Sequence, residues 1–437
     1  MTVSSSARPR LLVLGLDGLP FSLARQLAPR LPNLARLLPH ARPFEAELPE
    51  LSPVNWTSFF TARGPGEHGV HGFTALDPRT YALRIANFND VRVPTIFDRL
   101  GAAGLVSRVL NLPNMFPAKP LRGMLIAGFV AESLAGAVYP PFLLGPLRAA
   151  GYRVEGDTTR GASDPEHLLA QLRLSLAGRR AALNLLWPDL AWDLFVCVLT
   201  ETDRLFHFFF PAVADENHAL HGACMALLAE WDALVGEVLD RYDALPQPKG
   251  LIALADHGFC ALETEVDVNR VLADAGFLHV SRPAHDEWDA GCIGPEAKAF
   301  ALDPGRVVLH RAGVYARGGV SKADERSLVA DLRALLQGLT RDGRPVMKQV
   351  LDGHELYGAE NAPDIICVPH RGFDLKARFD RDEVFGHFGR FGMHTPDDAF
   401  FASTVGAAQR VREAGSLVLR YFGLNETQKP GGLIVGA

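Results

Sequence analysis

The chain has 437 residues, 48% of them hydrophobic and 22% charged, with a formal net charge of −6. That length exceeds one minimal core and predicts one large domain or a domain with a substantial insert. The mild acidity leaves no electrostatic footprint for nucleic acid, so an anionic substrate must be held by local charge, metal ions above all.

The first apolar run, RLLVLGL (10–16), is short and meets Asp17 at once. It reads as a first strand rather than a secretory leader. PFSLARQLA (20–28) and VPTIFDRLGAAG (93–104) carry helical periodicity, and SRVLNL (107–112) and MLIAGF (124–129) are strand candidates. The most apolar interior stretch, 123–145, contains Glu132 and the Pro140-Pro141 pair, which excludes a membrane span. A long helical pattern (164–187) precedes the strand candidate DLFVCVLT (193–200), and GLIALA (250–255) and APDIICVP (362–369) follow. Strands alternating with helices predict an α/β sheet covered on both faces. Between about 261 and 385 the texture becomes short-stranded and turn-rich, with one amphipathic helix at 323–339. We read this as a smaller α+β cap or insert, with 1–260 and 386–437 forming the main domain. The tail NETQKPGGLIVGA is expected to add nothing catalytic. Five scattered cysteines, odd in number and without CxxC spacing, predict a reducing compartment, hence a cytoplasmic protein.

Three strand candidates run into carboxylates at their C-terminal ends, where α/β sheets bind ligands. Asp17 follows the first, in LGLDG, with Gly18 available for a tight turn. Asp203 and His207 follow the strand at 193–200 with i, i+4 spacing, so a helix places both on one face, as a divalent ion requires. A helix-start Asp beside a packed His is the other reading of that pair. Asp256-His257-Gly258 ends GLIALA, and two ionisable residues after an apolar run are costly unless paired or metal-bound. Ser52, before Pro53 in LSPVNWTSFF (51–60), reads as the N-cap of a helix over 53–62. Free amides at such an end attract phosphate, so Ser52 is either a cap or a nucleophile. Thr57, Ser58 and Thr61 lie deeper in that helix. His394, in GMHTPDD, is isolated, and His68, His71 and His387 read as structural.

Together LGLDG, SPVNWTSFFTARGPGEHGVHGF, PTIFDRLGAAG, NLPNMFPAKP, WDLFVCVLTETDRLFHFF, LADHGF, APDIICVPHRGFD and GMHTPDDAFFA, in this order from about 10 to 410, resemble the type I phosphodiesterase/nucleotide pyrophosphatase family of the alkaline phosphatase superfamily. The likeness is greatest to its predicted phosphohydrolase/phosphomutase branch. The resemblance implies an alkaline-phosphatase-like α/β/α sandwich around a mostly parallel sheet. It also implies two divalent ions, zinc or else manganese. One would be held by Asp17, Ser52, Asp256 and His257, the other by Asp203, His207 and His394. Ser52 stands where Thr is commoner and would be the nucleophile, passing through a phosphoseryl intermediate to cleave a phosphodiester or nucleotide pyrophosphate bond. The expected partner is a small phosphoester, with neither nucleic acid nor membrane bound. One departure is Phe73, which stands where the eukaryotic-like branch places a phosphoryl-binding Asn. Asn55 is not that donor. His310, Arg311 and Arg317 of the insert are candidate substrate contacts. The same site could serve a phosphomutase or phosphomonoesterase, and a non-catalytic metal-dependent binding protein is the rival from another class. A sulfatase is disfavoured, because SPVNW lacks the Arg expected four residues after a formylglycine precursor.

Overall fold

A computed structural model describes residues 8–360 and 362–425. Residues 1–7, where the expected absence of a leader begins, and all but the first residue of the tail at 425–437 lie outside the described residues. The chain divides into two compact units. The first gathers the described residues of Met1–Gly64, Asn87–Phe259 and His394–Ala437, the second Pro65–Ala86 and Cys260–Met393. The sequence texture predicts an insert over 261–385, with 65–86 in the main domain.

The first unit is built on eight strands: β1 (Arg10–Leu16), β2 (Ala41–Phe44), β3 (Ser107–Leu112), β4 (Gly123–Ala127), β5 (Val138–Tyr139), β6 (Leu194–Leu199), β7 (Lys249–Leu254) and β8 (Ala399–Ser403). Their spatial order is β2-β8-β7-β1-β6-β3-β4-β5. The five strands from β7 to β4 run parallel, while β8 against β7, β2 against β8 and β5 against β4 run antiparallel. Central strands covered on both faces read as unbroken apolar runs, and β3 and β6 are buried along their full length. The register decides where the polar residues emerge. Leu16 pairs with Leu199 and Gly15 with Leu254, so β1, β6 and β7 end level. Asp17, Asp203 and Asp256 therefore leave the sheet at one edge.

Five helices matter to this edge or its support: α1 (Ser52–Thr61), α2 (Pro165–Leu186), α3 (Glu201–Ala214), α4 (His221–Asp243) and α5 (Val411–Tyr421). The helix α3 is kinked at Phe209 (φ −133°, ψ 26°), two residues before Pro211. Proline lacks the N–H that would close the preceding turn and crowds the carbonyl four residues back. Asp203 and His207 lie upstream of the kink, so their one-face spacing is kept.

The second unit has its own core, including Val266, Phe300, Leu309, Leu332, Ile365 and Phe373. Its largest sheet is antiparallel, in the order Ala299–Leu302, Arg306–Leu309, Ile365–Pro369, Met347–Asp352. Glu325–Gln337 is the amphipathic helix expected near 323–339, and it buries Leu328, Leu332 and Leu336. Among the described residues no helix is long and apolar enough to cross a membrane.

Candidate metal centre and nucleophile

Ser52 is the first residue of α1, not its cap. Leu51 takes the N-cap position in an extended conformation (φ −120°, ψ 143°), and no side chain caps the helix. This corrects the capping expectation, and the reason is geometric: the serine hydroxyl is turned across to other strand ends. Its Oγ lies 3.5 Å from Asp17 Oδ1 and 3.3 Å from His257 Nε2. The deeper hydroxyls are spent within the fold. Ser58 donates to Val54 O, Thr61 donates to Thr57 O, and Thr57 Oγ1 accepts from Asn114. Asn55 is fully buried and braces the segment before α1, accepting from Glu47 N and donating to the carbonyls of Glu47, Pro49 and Leu51.

Around Ser52 the structure gathers two sets of donors. Asp17, Asp256 and His257 form one and Asp203, His207 and His394 the other, each with ligand atoms within 4.8 Å of one another and each buried. They adjoin: His257 Nε2 is 3.4 Å from Asp256 Oδ2, 3.9 Å from Asp17 Oδ1 and 3.8 Å from Asp203 Oδ1. In the second set His394 Nε2 lies 3.2 Å from Asp203 Oδ1 and 3.0 Å from His207 Nε2. Thus all seven site residues expected from the sequence meet in one place.

The imidazoles are oriented by their far nitrogens. His394 Nδ1 is 2.8 Å from Glu50 O and His257 Nδ1 is 3.0 Å from Gly258 O. A carbonyl only accepts, so each Nδ1 carries the proton and each Nε2 offers a lone pair inward. Burial lowers the pKa of both histidines, with His257 adding to the shift of His394. Burial, then the charges of Asp256 and Asp203, push Asp17 well above the usual carboxylate range. Asp256 is pushed up to about 6, again by burial first. Burial also acts upward on Asp203, but His207, Arg204 and His394 outweigh it and hold that carboxyl well below its usual value.

Divalent ions fit these donors. Asp256 Oδ2 is buried with no hydrogen-bond donor among the described residues. Converging lone pairs and carboxylates in a largely buried site are costly to leave without a cation, and a mixed Asp/His set is what zinc takes.

Sequence reasoning missed the residues that hold the outer oxygens. Trp56, one turn after Ser52, donates Nε1–H to Asp17 Oδ2 at 3.1 Å, and Gly18 N donates to Asp256 Oδ1 at 3.2 Å. Thr202 Oγ1 donates to Asp17 O at 2.6 Å, and Arg204 Nη1 to Asp203 Oδ2 at 2.8 Å. The i, i+4 relation of Ser52 and Trp56 was the one available signal.

Other candidates lie in the second unit and have local partners there. His310 is buried between Tyr81 Oη and Ala297 O, Arg311 pairs with Asp364 and Glu325, and Arg317 covers the Tyr81 ring. His68 is buried and accepts from Val70 N. The rings of His71 and His387 lie near Tyr357 and Phe391.

The sequence model of the family described as type I phosphodiesterase / nucleotide pyrophosphatase matches residues 11–397, from β1 past His394. The chain belongs to this family. It is by that membership a phosphoester hydrolase. No curated protein matches the sequence. Among solved structures, phosphonoacetate hydrolase from Sinorhizobium meliloti 1021 in complex with phosphonoformate is similar at TM-score 0.62 and 15% identity, over 95% of this chain and 96% of that one. Murine ectonucleotide pyrophosphatase/phosphodiesterase 5 is similar at TM-score 0.58 and 11% identity, over 97% of each chain. An inactive variant of that murine protein, in complex with AMP, matches at TM-score 0.57. These likenesses show the shared alkaline-phosphatase-like fold: a mostly parallel central sheet with helices.

Proposed function

We propose that this family member cleaves a phosphodiester or nucleotide pyrophosphate bond by double displacement through Ser52. The observation that carries the reading is the Ser52 hydroxyl, 3.5 Å from Asp17 Oδ1 and 3.3 Å from His257 Nε2, at the first turn of a helix. Asp17, Ser52, Asp256 and His257 would hold one divalent ion, and Asp203, His207 and His394 a second. Zinc suits three imidazoles beside three carboxylates, and manganese accepts the same atoms. When bound, such ions supply Lewis acidity that lowers the pKa of a hydroxyl and offsets charge at phosphorus.

The protein's own groups set the geometry. Trp56 and Gly18 hold the outer oxygens of Asp17 and Asp256, leaving Asp17 Oδ1 toward Ser52 and Asp256 Oδ2 toward His257. Ser52 Oγ attacks phosphorus in line with the leaving oxygen, and a phosphoseryl residue forms as that oxygen departs. Water then attacks the same phosphorus from the opposite side and releases Ser52. The amides of the first turn of α1 face the phosphoryl oxygens, where helix N–H groups lack intrahelical partners. This assigns the oxyanion work without the Asn that Phe73 replaces.

The test is turnover of bis-p-nitrophenyl phosphate, p-nitrophenyl phosphate and a nucleoside 5′-pyrophosphate by metal-reconstituted protein. The reading expects hydrolysis of the diester or the pyrophosphate and a loss of at least about a thousandfold in Ser52→Ala. A Ser52→Ala protein with the wild-type rate contradicts it. Isomerised phosphosugar without free phosphate would move the assignment to a mutase. The cytoplasmic setting is part of the same reading and rests on five free cysteines, four of them buried.

A further inference from the structure

The two donor sets hold their outer carboxylate oxygens with partners of different charge. Among the described residues, Asp17 Oδ2 and Asp256 Oδ1 accept from neutral donors alone, the Trp56 indole and the Gly18 amide. Asp203 Oδ2 accepts instead from a guanidinium, that of Arg204, at 2.8 Å. Arg204 is fixed in turn. Its Nε is 3.0 Å from Glu155 Oε2, and the guanidinium lies 4.2 Å from the centre of the Phe129 ring. Arginine stays charged in any protein environment and its planar fork holds two carboxylates at once.

The formal charges follow. The first set presents two carboxylates and, among the described residues, no hydrogen-bonded cation. The second presents one carboxylate already paired with Arg204, plus two imidazoles. With Glu155 counted, the second set and its support carry one net negative charge against two. Arg204 also acts through space on Asp17, but it makes no hydrogen bond to it. A dication entering a buried site gains most where charge is least compensated.

We infer that the two sites load unequally. The Asp17, Ser52, Asp256 and His257 site fills first and tightly, the Asp203, His207 and His394 site second and weakly, and Arg204 is the positioning residue that sets the difference. This rests on the two-ion reading above. Arg204 aims Asp203 Oδ1 at the two imidazoles, and its charge lowers the gain from adding a cation there. Activity as a function of metal concentration then follows the weaker class.

The experiment is titration of the chelator-stripped, full-length chain at about pH 8 with Co2+, followed by visible absorption, and with Zn2+, followed by calorimetry. Wild type is expected to show two classes of site separated by at least about tenfold in affinity. His207→Ala should lose the weaker class and keep the tighter one. Arg204→Gln, which keeps an N–H donor and removes the charge, should tighten the weaker class at least about threefold, whereas Arg204→Lys should not. Two classes of equal affinity, or loss of the tighter class in His207→Ala, overturn the inference while leaving the two-ion reading intact. An unchanged gap in folded Arg204→Gln removes Arg204 from its role. A stripped chain that takes up no divalent ion defeats both the inference and the reading beneath it.

Discussion

At the scale of single residues, the site works by giving each reactive atom one outward partner. Trp56 shows what that partner contributes. Replacing it with Phe keeps the ring packed against β1 but removes the N–H from Asp17 Oδ2. The expected result is a kcat about 10–100-fold lower, with a stability loss of about 1–3 kcal/mol in urea titration. Unchanged kcat would show that Asp17 is oriented without it. The acid behaviour follows from Asp17, pushed well up by burial and the neighbouring carboxylates, and from Asp256, pushed up to about 6 mainly by burial. The protonated form of either cannot take a cation, so proton and metal compete as pH falls, at Asp256 through about 6. The acid limb of kcat/KM should therefore move to lower pH as metal concentration is raised, by up to about one unit per tenfold for one competing proton. A limb indifferent to metal concentration contradicts this. Asp17, Asp203, Asp256 and their histidines could be read from the sequence because each stands at a strand end or in a spaced motif. Trp56 and Arg204 could not be assigned their roles, since a donor's target is set by tertiary approach. The hydroxyl of Ser52 was misplaced by one position for a similar reason: Ser-Pro suits a cap, but Leu51 takes that place.

At the scale of elements, α1 has to lie flat between β1 and α5 for Ser52 to reach the edge of the sheet. Two glycines allow it. A Cβ on Gly15 would come 2.7 Å from the Trp56 ring and 2.9 Å from Val198, and one on Gly415 would come 2.0 Å from the carbonyl oxygen of Phe59. The second neighbour is backbone, so α5 itself would have to move. Gly415→Ala is expected to destabilise the protein by about 1–3 kcal/mol and to lower activity, because α1 carries Ser52, the proposed nucleophile. Gly222, near the start of α4, has nothing within 4 Å of its Cβ position among the described residues. There the same substitution should be neutral or stabilise by up to about 1 kcal/mol. Equal effects at both positions would count against the packing argument. The strands were legible because fully buried parallel strands are continuous apolar runs, and RLLVLGL and SRVLNL coincide with β1 and β3. The close contact of α5 with α1 was not. Gly415 in VREAGSLVLRY looks like any helix interior until its neighbour is known.

At the scale of the whole molecule, a chain of net charge −6 has no global field to gather anions, so metal binding is expected to carry both substrate capture and part of the stability. A chelator should lower the melting temperature, and ions at a hundredfold excess over a site's Kd should restore about 2.7 kcal/mol for that site. The order of motifs along the chain made the fold legible, since β1, β6 and β7 each deliver an acidic residue to one edge. The second unit was harder to read. Its strands are short, and the cationic residues there that looked free for substrate, Arg311 and Arg317, are held by Asp364, Glu325 and the Tyr81 ring. The central claim concerns Ser52, and stereochemistry at phosphorus tests it most directly. Hydrolysis of a chiral phosphorothioate diester in isotopically labelled water should proceed with retention of configuration, because two in-line displacements invert twice. Net inversion would mean that water attacks the substrate itself and that Ser52 never carries the phosphoryl group.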